Sequence, residues 1–156
     1  MKTQSLVHAL VVDDDEISLK VTSRMLEKLG IVTEISSSGV DALQIMKRKR
    51  FDIIFLDCVM PHLDGLDVAR QIRSLYGTGA RIPIIAMSAR SYDEYRESCL
   101  KAGMDDFLAK PLRMVSISLT LQKWLKHLPQ ELFNSVSQSE FPKLKESEKG
   151  EPDFDS

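Results

Sequence analysis

Five short apolar runs alternate with segments whose apolar residues recur at helical spacing, up to about residue 128. The runs show almost no polar alternation, which is typical of parallel strands buried on both faces. Gly30, Gly103 and Pro129 mark the ends of helical segments. We therefore predict an α/β protein with a doubly wound, parallel five-stranded sheet and five helices. The predicted strands span residues 6–12, 31–35, 53–56, 82–87 and 106–111.

Each helical segment has an apolar stripe that predicts the face it buries. Ser38 with Asp41, and Ser91 with Glu94, have the spacing of capping boxes and mark the starts of the second and fourth helices. The predicted stripes, from the first helix to the fifth, are Ile17, Val21, Met25 and Leu29; Val40, Leu43 and Met46; Val68, Ile72 and Leu75; Tyr95, Cys99 and Ala102; Ile117, Leu121, Trp124 and Leu128.

Composition limits the classes of protein to which the chain can belong. Its 156 residues, 43% hydrophobic and 28% charged, are enough for one domain with its own core. There is no apolar stretch of about 18 residues and no signal-like N-terminus, so we expect no membrane association and a cytoplasmic location. The net charge of −2 indicates no direct binding to nucleic acid. Cys58 and Cys99 lack metal-ligand spacing and are expected to stay reduced.

The pattern changes after residue 128. Residues 129–156 hold seven acidic residues and three lysines, and their few apolar residues have no period. Such a segment cannot bury enough apolar surface to offset the entropy of ordering it. We predict that residues 6–128 form the domain and that residues 129–156 form an acidic, disordered tail.

Reactive side chains follow four of the five predicted strands. Asp13 and Asp14 follow the first strand, Asp57 the third and Ser88 the fourth, and Lys110 lies at the end of the fifth. Because parallel strands end at one edge of a sheet, we expect these side chains to meet in one site. Taken singly, each has an equally good structural explanation, such as a cap, a turn or a surface charge. The coincidence of all five favours a functional site.

The residue types at this edge suit phosphoryl transfer. Oxygen ligands without histidine or cysteine favour a hard cation such as Mg²⁺. The cation and Lys110 would neutralise charge that develops during transfer, and a carboxylate is a known covalent nucleophile. We therefore predict Mg²⁺-dependent phosphoryl transfer to a carboxylate.

Four motifs together resemble the receiver domain of two-component response regulators, over residues 6 to about 128 and in the family's order. The resemblance implies the flavodoxin-like sheet with strand order 2-1-3-4-5. The motifs are Val11-Val12-Asp13-Asp14, Leu56-Asp57-x-x-Met60-Pro61-x-x-Asp64-Gly65, Ser88-Ala89 after an Ile-Ile strand, and Lys110-Pro111.

The resemblance assigns roles to the acidic residues and the lysine. It implies that Asp57 is the phosphoacceptor and that Lys110 contacts the phosphoryl group. It also implies that Mg²⁺ is held by Asp13, Asp14, Asp57 and the main-chain carbonyl of Cys58.

The resemblance also assigns a switch. Ser88 would be the switch hydroxyl, followed by the small Ala89, and the bond before Pro111 would be cis. Phe107 stands where many members have a tyrosine. Because a phenyl ring has no hydroxyl, any coupling through Phe107 has to work through packing.

Two further positions concern the lifetime of the phosphorylated state. In the family, the residues two places after the phosphoacceptor and after the switch hydroxyl flank the path of the hydrolytic water. Here these are Val59 and Arg90. Val59 cannot orient a water, and Arg90 is long enough to cover the phosphoryl oxygens, so we expect a long-lived phosphorylated state. The alternative is that Val59 packs in its loop and Arg90 faces solvent.

The predicted function is a signalling switch rather than a turnover enzyme. The donor would be a histidine kinase or a histidine phosphotransfer protein, and a downstream protein would bind the face formed by helix 4, strand 5 and helix 5. One alternative is a Mg²⁺-dependent phosphatase in which Asp13 is the nucleophile and Asp15 the general acid. That reading leaves the loop after Asp57 unexplained. Another alternative is an inert docking module, which the complete set of site residues disfavours.

Overall fold

Strands and helices alternate along the computed structural model, which describes residues 6–76, 81–89 and 92–125. The predicted tail therefore lies outside the described residues. The elements are β1 (His8–Val12), α1 (Glu16–Lys28), β2 (Val32–Ser36), α2 (Gly39–Arg48), β3 (Ile53–Asp57), α3 (Gly65–Tyr76), β4 (Ile84–Ser88), α4 (Tyr92–Lys101), β5 (Asp106–Ala109) and α5 (Met114–Trp124).

The strands form one parallel sheet in the order β2-β1-β3-β4-β5. Both the sheet type and the order predicted above are confirmed. Every residue of β3 and β4 is buried, which is why these strands carry no polar alternation. Ala9 pairs with Ile53 and Ile54 with Ile84, so β1, β3 and β4 run in near-equal register. Their carboxyl ends therefore finish at the same edge of the sheet.

A hydrophobic core cluster lies against one face of the sheet. Alternate residues of the central strands point into it, as the period of two in a strand requires. From β1, β3 and β4 these are Leu10, Val12, Ile54, Leu56, Ile84 and Ala86, and from α2, α3 and α4 they include Ala42, Met46, Val68, Ile72 and Cys99.

The chain divides into two units, residues 1–112 and 113–156. The described part of the second unit is essentially α5, in which Ile117 and Leu121 are buried as predicted. Leu128, the last residue of the predicted stripe, lies outside the described residues. None of the helices in the described part of the chain has the length and apolarity that a bilayer crossing requires.

Local signals explain where the helices begin and end. The Asp15 side chain caps α1 by accepting a hydrogen bond from the Ile17 N–H. Gly30 follows α1 with a φ of 81°, a conformation that glycine adopts without steric cost. Ser38 caps α2 by accepting from the Asp41 N–H, as the spacing predicts.

The capping box at α2 is only half formed. The Asp41 carboxylate accepts the Ser36 hydroxyl at 2.9 Å and so ties α2 to the end of β2. Ser91, the predicted cap of α4, lies outside the described residues.

The buried face predicted for α1 is only partly correct: its last member, Leu29, is buried, but its first two members are not. Leu19, Thr22 and Leu26 are buried, whereas the side chain of Ile17 is 72% exposed and that of Val21 is 45% exposed. The helix carries two apolar stripes, and the buried one includes a threonine that a search for apolar periodicity passes over.

Two other helices bury less than predicted. Val40 of α2 and Leu75 of α3 are exposed, while the remaining members of their stripes are buried. These two residues lie at opposite ends of their elements, where a helix leaves the core.

Gly65 begins α3 at a point where two stretches of main chain nearly touch. A Cβ atom at this position would lie 2.0 Å from the Asp57 carbonyl oxygen and 2.9 Å from Cys58 Cα. The Gly65 N–H donates to the Cys58 carbonyl at 3.1 Å, which fixes the return of the loop after β3. Any side chain would push α3 away from the end of β3.

We predict that Gly65→Ala destabilises the protein by about 1–3 kcal/mol, the cost of overpacking. That loss corresponds to a melting temperature lowered by about 4–12 °C for a domain of this size. The control is Ser74→Ala on the exposed face of the same helix, which should change stability by less than about 0.5 kcal/mol. Thermal unfolding that gives the two variants the same midpoint would contradict the prediction.

Candidate functional site

Three carboxylates meet at the carboxyl edge of the sheet. Asp13 and Asp14 follow β1, and Asp57 is the last residue of β3. Oxygen atoms from all three lie within 4.8 Å of one another. Asp13 is fully buried and Asp57 is 6% exposed, whereas Asp14 faces solvent. The structure therefore brings together the acidic residues that the sequence places at strand ends.

Lys110 lies between the two buried carboxylates. Its Nζ donates to Asp13 Oδ2 at 2.7 Å and lies 3.5 Å from Asp57 Oδ2. Burial alone would lower the pKa of Lys110, but the hydrogen bond to Asp13 and the charge of Asp57 raise it above its ordinary value. The lysine is thus held in its charged form, because one ammonium faces two carboxylates.

Asp57 is the less well neutralised carboxylate. Burial, and secondly the negative charge of Asp13, raise the pKa of Asp57 to about 7, although Lys110 opposes the shift. A second positive charge at this site would therefore be strongly stabilised. Three carboxylates, with no histidine or cysteine side chain among them, fit a hard divalent cation such as Mg²⁺.

Main-chain hydrogen bonds hold the residues that flank Asp57. The Cys58 N–H donates to the Met87 carbonyl at 2.9 Å, which continues the pairing of β3 with β4 past the strand end. The Cys58 carbonyl accepts the Gly65 N–H and keeps a second lone pair for another partner. The Val59 N–H lies 3.4 Å from Asp57 Oδ1, and the Val59 side chain is half exposed.

The remaining predicted site residues lie along β4, β5 and the segment after β5. Ser88 ends β4 and is 2% exposed, and its carbonyl accepts the Lys110 N–H at 2.9 Å. Ala89 is exposed. The Phe107 ring is partly buried against the core cluster, and the Lys110–Pro111 peptide bond is cis. Arg90 lies outside the described residues.

An apolar groove adjoins the carboxylate cluster, and the sequence did not predict it. Its volume is about 350 Å³. Its floor and walls come from α1 and from the residues around Lys110, and the exposed side chains of Ile17 and Val21 belong to it. The lining residues are Ile17, Ser18, Val21, Thr22, Ala89, Lys110, Pro111 and Leu112. The exposed apolar stripe of α1, which contains Ile17 and Val21, is the signal that could have revealed this groove.

The arrangement matches one protein family. The family model of the response regulator receiver domain matches residues 9–122. The hybrid signal transduction protein dokA of Dictyostelium discoideum is 39% identical over 125 residues, which cover 80% of this chain and 7% of that protein. Response regulator MprA of Mycobacterium leprae is 37% identical over 131 residues, 83% of this chain and 56% of that protein. The chain thus spans only part of the length of both relatives.

Solved structures agree with this match. The receiver domain of a Pseudomonas aeruginosa sensor histidine kinase, with magnesium in its active-site cleft, has a TM-score of 0.69 and 38% identity, covering 77% of this chain and 98% of that one. A second match is a Saccharomyces cerevisiae complex of a histidine phosphotransfer protein with the receiver domain of its downstream response regulator. It has a TM-score of 0.71 and 26% sequence identity, and the match covers 83% of this chain and 97% of that one. From its strand order, its acidic edge and these matches, the chain belongs to the receiver domain family of two-component and phosphorelay signalling proteins.

Proposed function

We propose that Asp57 is the residue that accepts the phosphoryl group. The observation that supports this is its position: a nearly buried carboxylate that ends β3, 3.5 Å from the Lys110 ammonium and beside Asp13. In the transfer, an Asp57 oxygen forms a bond to phosphorus while the phosphorus–nitrogen bond of a phosphohistidine breaks. The imidazole leaves with the electron pair of that bond and takes up a proton.

The other charged residues of the cluster would support this step. Lys110 is placed to exchange part of its contact with Asp13 for a contact with an anionic phosphoryl group. Asp13, Asp14, Asp57 and the Cys58 carbonyl would hold Mg²⁺, which when bound neutralises the carboxylates and the incoming group. The magnesium in the related P. aeruginosa receiver domain supports this assignment.

The phosphatase alternative is not favoured. It requires Asp15 as general acid, but the Asp15 side chain accepts hydrogen bonds from the Ile17 N–H and the Ser18 hydroxyl as the cap of α1. It also requires Asp13 as nucleophile, whereas Asp13 is fully buried and paired with Lys110 at 2.7 Å.

The proposed switch links the site to β4 and β5. Ser88 and Ala89 would move toward the phosphoryl group. Phe107, which packs against the core, would follow this movement through packing alone, because its ring has no hydroxyl group to form a new hydrogen bond. A downstream protein would then read a surface formed by α4 and β5. In this proposal the chain responds to phosphorylation and hydrolyses only its own phosphoryl group.

Two parts of the proposal concern the chain's extent and setting. Residues 6–128 would form the receiver domain, and the acidic residues 129–156 would be dispensable for phosphorylation. The phosphodonor and the downstream protein would meet this protein in the cytoplasm.

The donor would be a histidine phosphotransfer protein that docks in the apolar groove. A donor has to bring its phosphohistidine to Asp57, so its docking surface has to border the site. The groove does so, because Lys110 and Ala89 line it together with Ile17 and Val21. The S. cerevisiae complex shows that a related receiver domain binds a partner of this class.

The first prediction identifies the phosphoacceptor. Acetyl phosphate with Mg²⁺ should label wild-type protein at Asp57. Asp57→Asn should remove the label because an uncharged amide replaces the nucleophilic carboxylate. The control is Asp67→Asn, an exposed acid on α3, which should label at the wild-type rate. Mass spectrometry that maps the label to Asp13 would instead support the phosphatase alternative.

A second prediction concerns the docking groove. Ile17→Glu should slow phosphotransfer from the phosphorylated S. cerevisiae phosphotransfer protein by at least about tenfold, since a charge would then sit in an apolar contact. Labelling by acetyl phosphate should change little. Leu75→Glu, on an exposed site of α3, is the matched control and should leave both rates unchanged. Equal rates for the two variants with the protein donor would exclude this docking surface.

The third prediction concerns the lifetime of the phosphorylated state. Val59 is half exposed beside Asp57 and offers no group that could orient a water molecule. Because positioning of the attacking water carries a large part of the barrier, Val59→Asn with Arg90→Glu should speed loss of the label by at least about tenfold. A double variant that loses its label no faster than wild type would refute the idea.

A further inference from the structure

Two free thiols touch directly behind the phosphoacceptor. Cys58 Sγ and Cys99 Sγ lie 3.5 Å apart, and both residues are 2% exposed. Cys58 follows Asp57 at the end of β3, and Cys99 lies in α4, 41 residues along the chain. The pair therefore joins the strand that carries the proposed phosphoacceptor to a helix of the proposed output surface.

The geometry is close to that of a bonded pair. A disulfide holds its sulfur atoms about 2.05 Å apart, so the two sulfurs would have to approach by about 1.5 Å. Such a movement requires the main chain of Cys58 and α4 to approach each other as the two side chains rotate. The pair is thus in contact in the reduced state and near enough to be bridged.

The attachment of α4 allows an oxidant to reach the thiols. Among the described side chains of α4, Cys99 is buried, while its neighbours are exposed: Arg96, Glu97, Ser98, Leu100 and Lys101. A helix on the outside of the sheet opens at a lower free energy than the buried central strands do. Opening of α4 exposes the thiol pair without unfolding the sheet.

We propose that Cys58 and Cys99 form an oxidation site for small hydroperoxides, and that their disulfide suppresses phosphorylation of Asp57. The second half rests on the proposed function. The first thiol loses its proton to solvent, and its sulfur forms a bond to the terminal oxygen of the peroxide as the O–O bond breaks. The departing alkoxide or hydroxide takes up a proton from solvent and leaves as an alcohol or water. The second thiol then attacks the sulfur of this sulfenic acid, and the S–O bond breaks. The proton of the second thiol leaves with the hydroxyl group as water. Overall, two thiols lose two hydrogens and the hydroperoxide is reduced.

The bond would act on the site through the main chain of Cys58. The Cys58 N–H is bound to Met87 and its carbonyl to Gly65, and that carbonyl is also a proposed metal ligand. Drawing Cys58 toward α4 would displace this carbonyl and the neighbouring Asp57. Since misplacement by about 1 Å can cost a factor of about a hundred in rate, we expect at least about a tenfold slower labelling.

The test compares reduced and peroxide-treated protein. Hydrogen peroxide should produce a monomer lighter by two hydrogens, and digestion without reductant should give one linked peptide pair containing Cys58 and Cys99, the chain's two cysteines. Labelling by acetyl phosphate should fall at least about tenfold and recover with dithiothreitol. Cys99→Ser is the control, and peroxide should leave its labelling rate unchanged. Because methionine sulfoxide is not reversed by dithiothreitol, recovery separates the disulfide from methionine oxidation.

Two results would overturn the proposal. One is a treated wild-type protein without the linked peptides, since the thiols would then not bridge. The other is a bridged protein that labels at the reduced rate, since the bond would then not act on the site. Failure of the proposed function is a separate result: reduced protein would not label at all, while the peptide map would still decide whether the pair is an oxidation site.

Discussion

Two buried carboxylates facing one lysine are the constraint on which the site depends. Asp13 has its charge balanced by the Lys110 ammonium at 2.7 Å, and Asp57 shares the same ammonium at 3.5 Å. Burial first, and the negative charge of Asp13 second, raise the pKa of Asp57 to about 7. A cation that restores the balance would also prepare the site for an anion, and in the proposed function this would link metal binding to phosphorylation.

The fold meets this constraint by fixing where the strands end. Parallel pairing of β1, β3 and β4 brings Asp13 and Asp57 to one edge. Gly65 then lets α3 start in contact with the Asp57 carbonyl, a position that no side chain fits. The hydrogen bonds of Cys58 to Met87 and Gly65 hold the segment between them. Stability of the loop and geometry of the site are therefore controlled by the same contacts.

The sheet and the acidic edge could be predicted because both follow from short-range patterns. Unbroken apolar runs indicate buried parallel strands, and parallel strands bring their final residues together, so the sequence alone could place Asp57 and Lys110 at one edge. The buried face of α1 could not, because its two apolar stripes overlap and Thr22 is part of the buried one. The Cys58–Cys99 contact could not be predicted either, since no periodicity relates residues 41 positions apart. Tertiary packing decides both.

The central claim is that Asp57 is poorly neutralised until a cation binds, and the pH dependence of Mg²⁺ affinity tests it directly. With the pKa of Asp57 near 7 in the metal-free protein, Mg²⁺ has to displace a proton below that pH. Calorimetric titration should show affinity rising by up to about tenfold per pH unit toward pH 7 and then levelling. Asp57→Asn should bind more weakly and without this rise. A wild-type affinity that is constant between about pH 5.5 and 8 would contradict the account.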